Sequence, residues 1–146
     1  MPARFNYRVA GIACAGERVL LERGPGDDFW VLPGGHPELG EPAAAALARE
    51  MSEELGAVVQ VGRLLFTVEN FYQYRGTAHH ELALYFLMVL PAQLEKADEV
   101  PAREPGQEFR WHRLDELGPT RLLPSFLRTR LRTLPDVTEH VVHHDG

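Results

Sequence analysis

The stretch from Gly34 to Ala57 constrains this chain more than any other. It reads Gly-Gly-His-Pro-Glu-Leu-Gly-Glu-Pro, then Ala-Ala-Ala-Ala-Leu-Ala-Arg-Glu-Met-Ser-Glu-Glu-Leu, then Gly-Ala. Pro42 suits a helix start, where its missing N–H would have no partner. Gly56 suits a helix stop. The spacing therefore predicts a loop, a helix and a sharp end. With about 100° per residue and Glu50 set at zero, Glu54 falls near +40° and Glu53 near −60°, so three carboxylates share an arc of roughly 100°. Leu47, Met51 and Leu55 form the adjoining core-facing stripe, with Ala44 and Ala48 beside them, and Arg49 falls next to Glu53. One arginine cannot neutralise three clustered carboxylates. Like charges this close oppose one another's ionisation, so the cluster retains a proton or takes a cation. Carboxylate oxygens suit hard divalent ions such as Mg²⁺.

An acidic helix face is by itself most often a solvated surface. The spacing argues otherwise here: Gly35, five residues, Glu41, seven residues, Arg49-Glu50, two residues, Glu53-Glu54, one residue, Gly56. This pattern resembles the signature of the Nudix hydrolase family. Seven fixed residues at roughly one in fifteen each give chance odds on the order of one in 10⁸ per position. Ala57 stands where the family usually carries a bulkier aliphatic residue, a structural position that leaves the chemistry alone.

The resemblance implies an α/β/α sandwich with a mixed β-sheet and metal-assisted hydrolysis of a phosphoanhydride. It implies Mg²⁺ or Mn²⁺ as cofactor, with Glu50 and Glu54 as direct ligands. Glu53 would ligate directly or through water, and the Gly34 carbonyl would be a further ligand from the loop. Arg49 would fix the carboxylates, and Glu41 would serve the helix start or the chemistry. The signature leaves the general base open among Glu53, Glu108 and Glu81, in that order of preference. His79 and Glu81 share one face of a strand, so they are the only pair of the His79-His80-Glu81 run able to converge on a metal.

Substrate markers outside the signature are weak. Tyr72 stands where ADP-sugar hydrolases often carry proline. Tyr74 stands where dinucleoside polyphosphate hydrolases often carry tyrosine, but Phe71 and Tyr72 are close by. Leu20 to Arg23 only partly echoes the coenzyme A hydrolase pattern. The expected substrate is a small nucleotide, either a nucleoside triphosphate or another nucleoside-diphosphate-linked compound. A dinucleoside polyphosphate hydrolase, an ADP-sugar hydrolase and a non-catalytic nucleotide sensor remain alternatives, as does a protein-interaction module built on the acidic helix. Phe71, Tyr72, Tyr74 and Tyr85 are candidates either for stacking a base or for packing, and Phe29 and Trp30 either pack their loop onto the domain or line the ligand pocket.

At 146 residues one domain over residues 1–146 is expected, large enough for a real core. A net charge of −6 argues against affinity for nucleic acid backbone but allows a phosphate-bearing small molecule screened by metal. No apolar run is long enough to span a bilayer. Arg4, Asn6, Tyr7 and Arg8 interrupt any leader pattern. The single Cys14 cannot form an internal disulfide and reads as a small core residue, so a cytoplasmic setting is expected. A homodimer is compatible with the resemblance, although no interface is legible.

The remaining chain reads as an α+β fold with mixed strand pairing. Strands are expected at 5–15, 18–22, 58–68 with a break near Gly62, 79–90 and 108–112. Residues 92–106 read as a mobile loop, 114–117 as one helical turn, 124–134 as a helix, and 136–146 as an edge strand or loose tail.

Overall fold

The computed structural model describes residues 2–145. Two sheets form the body. The first has five strands in the order β4 (Gly34–Gly35), β1 (Ala3–Ile12), β6 (Thr77–Val89), β5 (Gln60–Tyr74) and β9 (Glu139–Asp145). Its pairing is mixed: β1 runs parallel to β6, β5 antiparallel to β6, and β9 parallel to β5. The second sheet has four strands, in the order β2 (Cys14–Ala15), β3 (Arg18–Arg23), β8 (Glu108–Arg113) and β7 (Glu99–Val100).

The long helix α1 (Ala43–Leu55) follows the limits its ends dictate. Pro42 stands just before it in an extended conformation, and Gly56 closes it at φ 65°, its N–H bonded to the Ser52 carbonyl. Ala46, Leu47 and Met51 are buried against Val9, Leu20, Met88 and Phe109. Ala44 and Ala48 are only half-buried, so the contact is centred one residue away from the stripe read on the helical wheel. A second core layer gathers Ile12, Leu21, Trp30, Phe66, Leu122, Leu127 and Leu131. Helical layers thus flank the strands, the α+β sandwich expected.

Several elements differ from the reading of the sequence. Residues 5–15 are not one strand. The chain leaves the first sheet after Ile12, and Cys14–Ala15 pairs with β3 in the second sheet, closed by a turn at Gly16 with φ 61°. Residues 92–106 are not featureless: they hold α2 (Ala92–Glu95) and β7, tied down by the Trp111 indole N–H donating to the Leu94 carbonyl at 2.9 Å. The helix expected over 124–134 shrinks to α3 (Leu127–Arg130). Its flanks wind with bonds three residues apart, as tight turns rather than α-helix. The C-terminal segment is an edge strand from Glu139 to Asp145; Gly146 lies outside the described residues. Leu114–Glu116 forms the single helical turn expected. β5 runs on to Tyr74 with irregularities between Val61 and Phe66, around the anticipated break at Gly62.

Candidate active site

α1 presents its polar side to the short strand β4. Gly35 lies under Glu50 so closely that a Cβ there would overlap the Glu50 carboxylate, while a Cβ on Gly34 would strike the Val9 carbonyl. The glycine pair therefore brings backbone and carboxylate together where any larger residue would hold them apart.

Arg49 organises the exposed side of the cluster. Its Nε donates to Glu41 Oε2 at 2.8 Å and its Nη2 to Glu41 Oε1 at 3.0 Å. Its Nη1 donates to Glu50 at 3.0 Å and to Glu53 at 3.2 Å. The forked bond to Arg49 holds Glu41 down at about 2, far below the usual carboxylate range. Glu41 thus braces Arg49 as well as standing at the helix start. Glu53 is the most open of the three signature carboxylates, its side chain 59% exposed.

The inner side of the cluster contains residues that sequence reasoning missed. Glu22 on β3 is buried, at 7% exposure. It accepts from the Gly34 N–H at 3.0 Å and from Gln107 Nε2 at 2.9 Å. The same Gln107 nitrogen donates to Glu54 Oε1 at 3.1 Å, so one amide bridges two carboxylates. Burial, then the charge of Glu22, raise Glu54 to about 7. Burial also raises Glu22, against the pull of Arg8, whose Nη2 lies 3.6 Å away. Glu54 Oε2 is buried and has no partner. An acid ending the apolar run Val19-Leu20-Leu21 was the available signal for Glu22; nothing local marked Gln107.

Glu108 is placed elsewhere: it pairs with Arg23 at 2.8 Å, which holds it below the ordinary carboxylate range. Its neighbour Gln107 reaches the cluster instead. Glu81 is buried on the far side of Arg8 and accepts from the Asn6 amide and from the Tyr72 hydroxyl. His79 shares that face: its Nδ1 lies 3.4 Å from Asn6 Oδ1 and its ring stacks on Tyr72 at 4.8 Å. These partners are polar and aromatic, not a second set of metal ligands.

A cavity of about 940 Å³ opens beside the cluster, lined among others by Arg8, His36, Phe29, Tyr72, Tyr74 and Glu81. His36 marks the junction, because its carbonyl accepts from Arg49 and the residue also lines the cavity. Of the candidate aromatics, Phe29, Tyr72, Tyr74 and Tyr85 face this space, whereas Phe71 stacks between His80 and His144. Trp30 is core, with the Arg23 guanidinium 4.4 Å from its ring centre. A further hollow of about 800 Å³ between Leu114, Pro119 and Arg132 contains none of the signature residues.

Ser125, His143 and Asp145 meet in a triangle that superficially resembles a nucleophilic triad. His143 uses the same nitrogen toward both Ser125, at 3.0 Å, and Asp145, at 3.0 Å. It cannot relay a proton between them. Ser125 instead donates its N–H and hydroxyl to Asp145 at 3.0 and 2.6 Å, which fastens the chain end to the turn before α3.

Among the described residues, no group of three His, Cys, Asp or Glu side chains is arranged so as to hold a metal ion. The donor set nevertheless fits a hard divalent ion. A buried, unpartnered carboxylate oxygen on Glu54, the charge of Glu22 behind it, and Glu50 and Glu53 shared only with Arg49 leave negative charge uncompensated.

Residues 5–134 match the NUDIX domain family. A bovine (Bos taurus) relative, diphosphoinositol polyphosphate phosphohydrolase 3-beta, is 29% identical over 119 residues, covering 79% of this chain and 68% of its own. Among solved structures, a MutT NUDIX hydrolase from Burkholderia pseudomallei is 26% identical with a TM-score of 0.60, over 77% of this chain and 85% of its own. The mutator MutT protein from Bacillus halodurans superposes with a TM-score of 0.68 at 20% identity, over 94% of this chain and 88% of its own, a likeness of fold. With its family match spanning most of its length, the chain belongs to the NUDIX domain family and is a Nudix-type hydrolase.

Proposed function

We propose that the protein hydrolyses a phosphoanhydride bond in a nucleoside triphosphate or another nucleoside-diphosphate-linked compound, by attack of water at phosphorus, with Mg²⁺ or Mn²⁺ as cofactor. The observation that carries this reading is the half-buried Glu22–Gln107–Glu54 bridge with its unpartnered Glu54 oxygen, set beside a cavity of about 940 Å³. Glu50, Glu53, Glu54 and the Gly34 carbonyl would hold the ion. Once bound, it would screen the phosphoryl oxygens and make a coordinated water a better nucleophile.

The chain's own residues supply the rest. Gly35 lets the Glu50 carboxylate approach the loop. Arg49, braced by Glu41, fixes Glu50 and Glu53 in direction. Glu53, the most open carboxylate and bonded only through Arg49, is the group best placed to take a proton from the attacking water. Arg8 lies between Glu22 and the cavity and carries positive charge where phosphate would enter.

The test is a panel of nucleoside triphosphates, dinucleoside polyphosphates and nucleotide sugars, with and without Mg²⁺ or Mn²⁺, and products separated by chromatography. A diphosphoinositol polyphosphate belongs in the panel, given the name of the bovine relative and the arginines at positions 4, 8, 75, 121 and 128 around the cavity. Metal-dependent release of a phosphorylated product supports the reading. Tight binding without turnover would make the protein a sensor instead, and turnover independent of metal would remove the ion from the chemistry.

A further inference from the structure

The reaction proposed above leaves one contact of Glu22 unused, the one to Arg8. Each polar partner of Glu22 is a donor. Oε1 accepts from the Gly34 N–H at 3.0 Å and lies 3.6 Å from Arg8 Nη2, while Oε2 accepts from Gln107 Nε2 at 2.9 Å. A protonated carboxyl would need an acceptor for its own hydrogen. The geometry is therefore that of an ionised Glu22, held in a site where its side chain is 10% exposed. Arg8 lines the cavity with 19% of its side chain exposed. Its Nη2 also donates to the Leu32 carbonyl at 2.7 Å, which fixes the guanidinium in place. Buried Glu81 acts on the same arginine from the far side. One guanidinium thus stands between two buried carboxylates. A phosphate entering the cavity meets a positive charge that its neighbours already balance, and charges this deep are screened little by salt.

We infer that Glu22 is a positioning residue that acts through Arg8: it masks the Arg8 charge from phosphate in the free protein, and is itself offset when a divalent cation joins the carboxylate cluster. The cation half of this rests on the reading above; the masking of Arg8 does not. Gln107 makes the connection, because one of its nitrogens donates both to Glu22 and, at 3.1 Å, to Glu54. Positive charge drawn to Glu54 lies one amide away from Glu22. Arg8 need not move for the change to be felt. Its bond to Leu32 stays, and only the charge presented to the cavity differs. Phosphate binding at Arg8 thus waits for the cation, so the free protein does not hold a phosphate it has no means to act on. Cation and anion favour each other across the Glu22–Arg8 pair, and such coupling is reciprocal.

The experiment uses the intact protein and two probes kept apart. Inorganic phosphate is titrated in EDTA by isothermal calorimetry, and Mn²⁺ is titrated without phosphate, the free ion being followed by electron paramagnetic resonance. Glu22→Gln keeps the size of the side chain and removes its charge. Without metal it is expected to bind phosphate at least about tenfold more tightly than the parent, the scale of one poorly screened charge near the anion. It should bind Mn²⁺ at least about tenfold more weakly. Adding Arg8→Gln to Glu22→Gln should return phosphate affinity to the parent's level or below, which traces the gain to Arg8. A gain in affinity does not arise from a loosened fold, and circular dichroism melts establish that both proteins are folded. Phosphate affinity unchanged or weaker in Glu22→Gln, a gain that survives Arg8→Gln, or unaltered Mn²⁺ affinity would each overturn the inference. Any of these beside metal-dependent turnover by the parent would leave the hydrolase reading standing. Both shifts as expected, with no compound of the panel turned over, would uphold the inference and defeat that reading.

Discussion

At the scale of single residues, the protein places one carboxylate where it resists ionisation. Glu54 is raised to about 7 by burial and by Glu22, against about 4.3 in an unfolded chain. The folded state therefore holds a proton there that the unfolded state releases over that window. Its stability falls as pH rises from the unfolded value to about 7, and the penalty persists above. Glu54→Gln removes the penalty while keeping the bond from Gln107. In EDTA at pH 8 that variant should unfold at a higher urea concentration than the parent, and the gap should close below about pH 4.5. Identical midpoints at pH 8 would show that the buried charge is not strained. The same substitution should lower metal-dependent turnover by at least about 10²-fold, because an amide is a poor ligand for a hard ion. Greater stability together with lost activity is the signature of a functional carboxylate.

At the scale of elements, α1 and β4 act as a unit. Gly35→Ala should leave a folded protein whose Glu50 is pushed aside. The expected result is a turnover loss of about 10²-fold or more and a raised Mg²⁺ requirement, read from initial rates across a metal titration. Gly34→Ala meets the Val9 backbone instead, so it should reduce soluble yield. Met51 pins the opposite face of α1 and is fully buried. Met51→Ala should cost about 2–5 kcal/mol in a denaturant melt, with per-molecule activity falling as the helix loosens. Both ends of this helix were legible because Pro42 and Gly56 act through their own backbone restrictions. The length of α3 was not. Phe126, Leu127 and Leu131 have helical spacing, yet Ser125 is fastened to Asp145 on β9, and the segment turns tightly to meet the core. That anchor lies 20 residues along the chain, beyond any local pattern.

At the scale of the molecule, the cluster and the cavity are joined by strands from both sheets. Glu22 and Gln107 come from the second sheet or its approach, Glu54 from the helix, and Arg8, Asn70 and Glu81 from the first sheet. An ion bound only by the folded chain should raise its stability in proportion to the logarithm of its concentration, by about 2.7 kcal/mol at a hundred times the dissociation constant. Thermal melts across a Mg²⁺ or Mn²⁺ series should therefore climb for the parent and stay flat for a Glu50→Gln/Glu54→Gln double variant. A parent melt that ignores both ions would remove the metal from the site. Asp145 extends the reach of the fold to its last described strand. Burial works against its charge, but the bonds from Ser125 and His143 prevail and hold it below its ordinary value. Its contribution is thus present at neutral pH and lost as acid protonates it. Asp145→Asn should lose stability at pH 7 and show less of that acid sensitivity.

The sequence by itself determined the loop–helix unit and the company of Arg49, Glu50, Glu53 and Glu54. A helix repeats every few residues, so spacing alone sets which side chains share its face. Tertiary structure alone decided that Glu22 and Gln107 would stand behind Glu54, that Glu108 would turn away to Arg23, and that Glu81 and Asn70 would share a cavity floor. Those neighbours depend on strand order and register, which bring together residues far apart in the chain and leave no trace in local spacing.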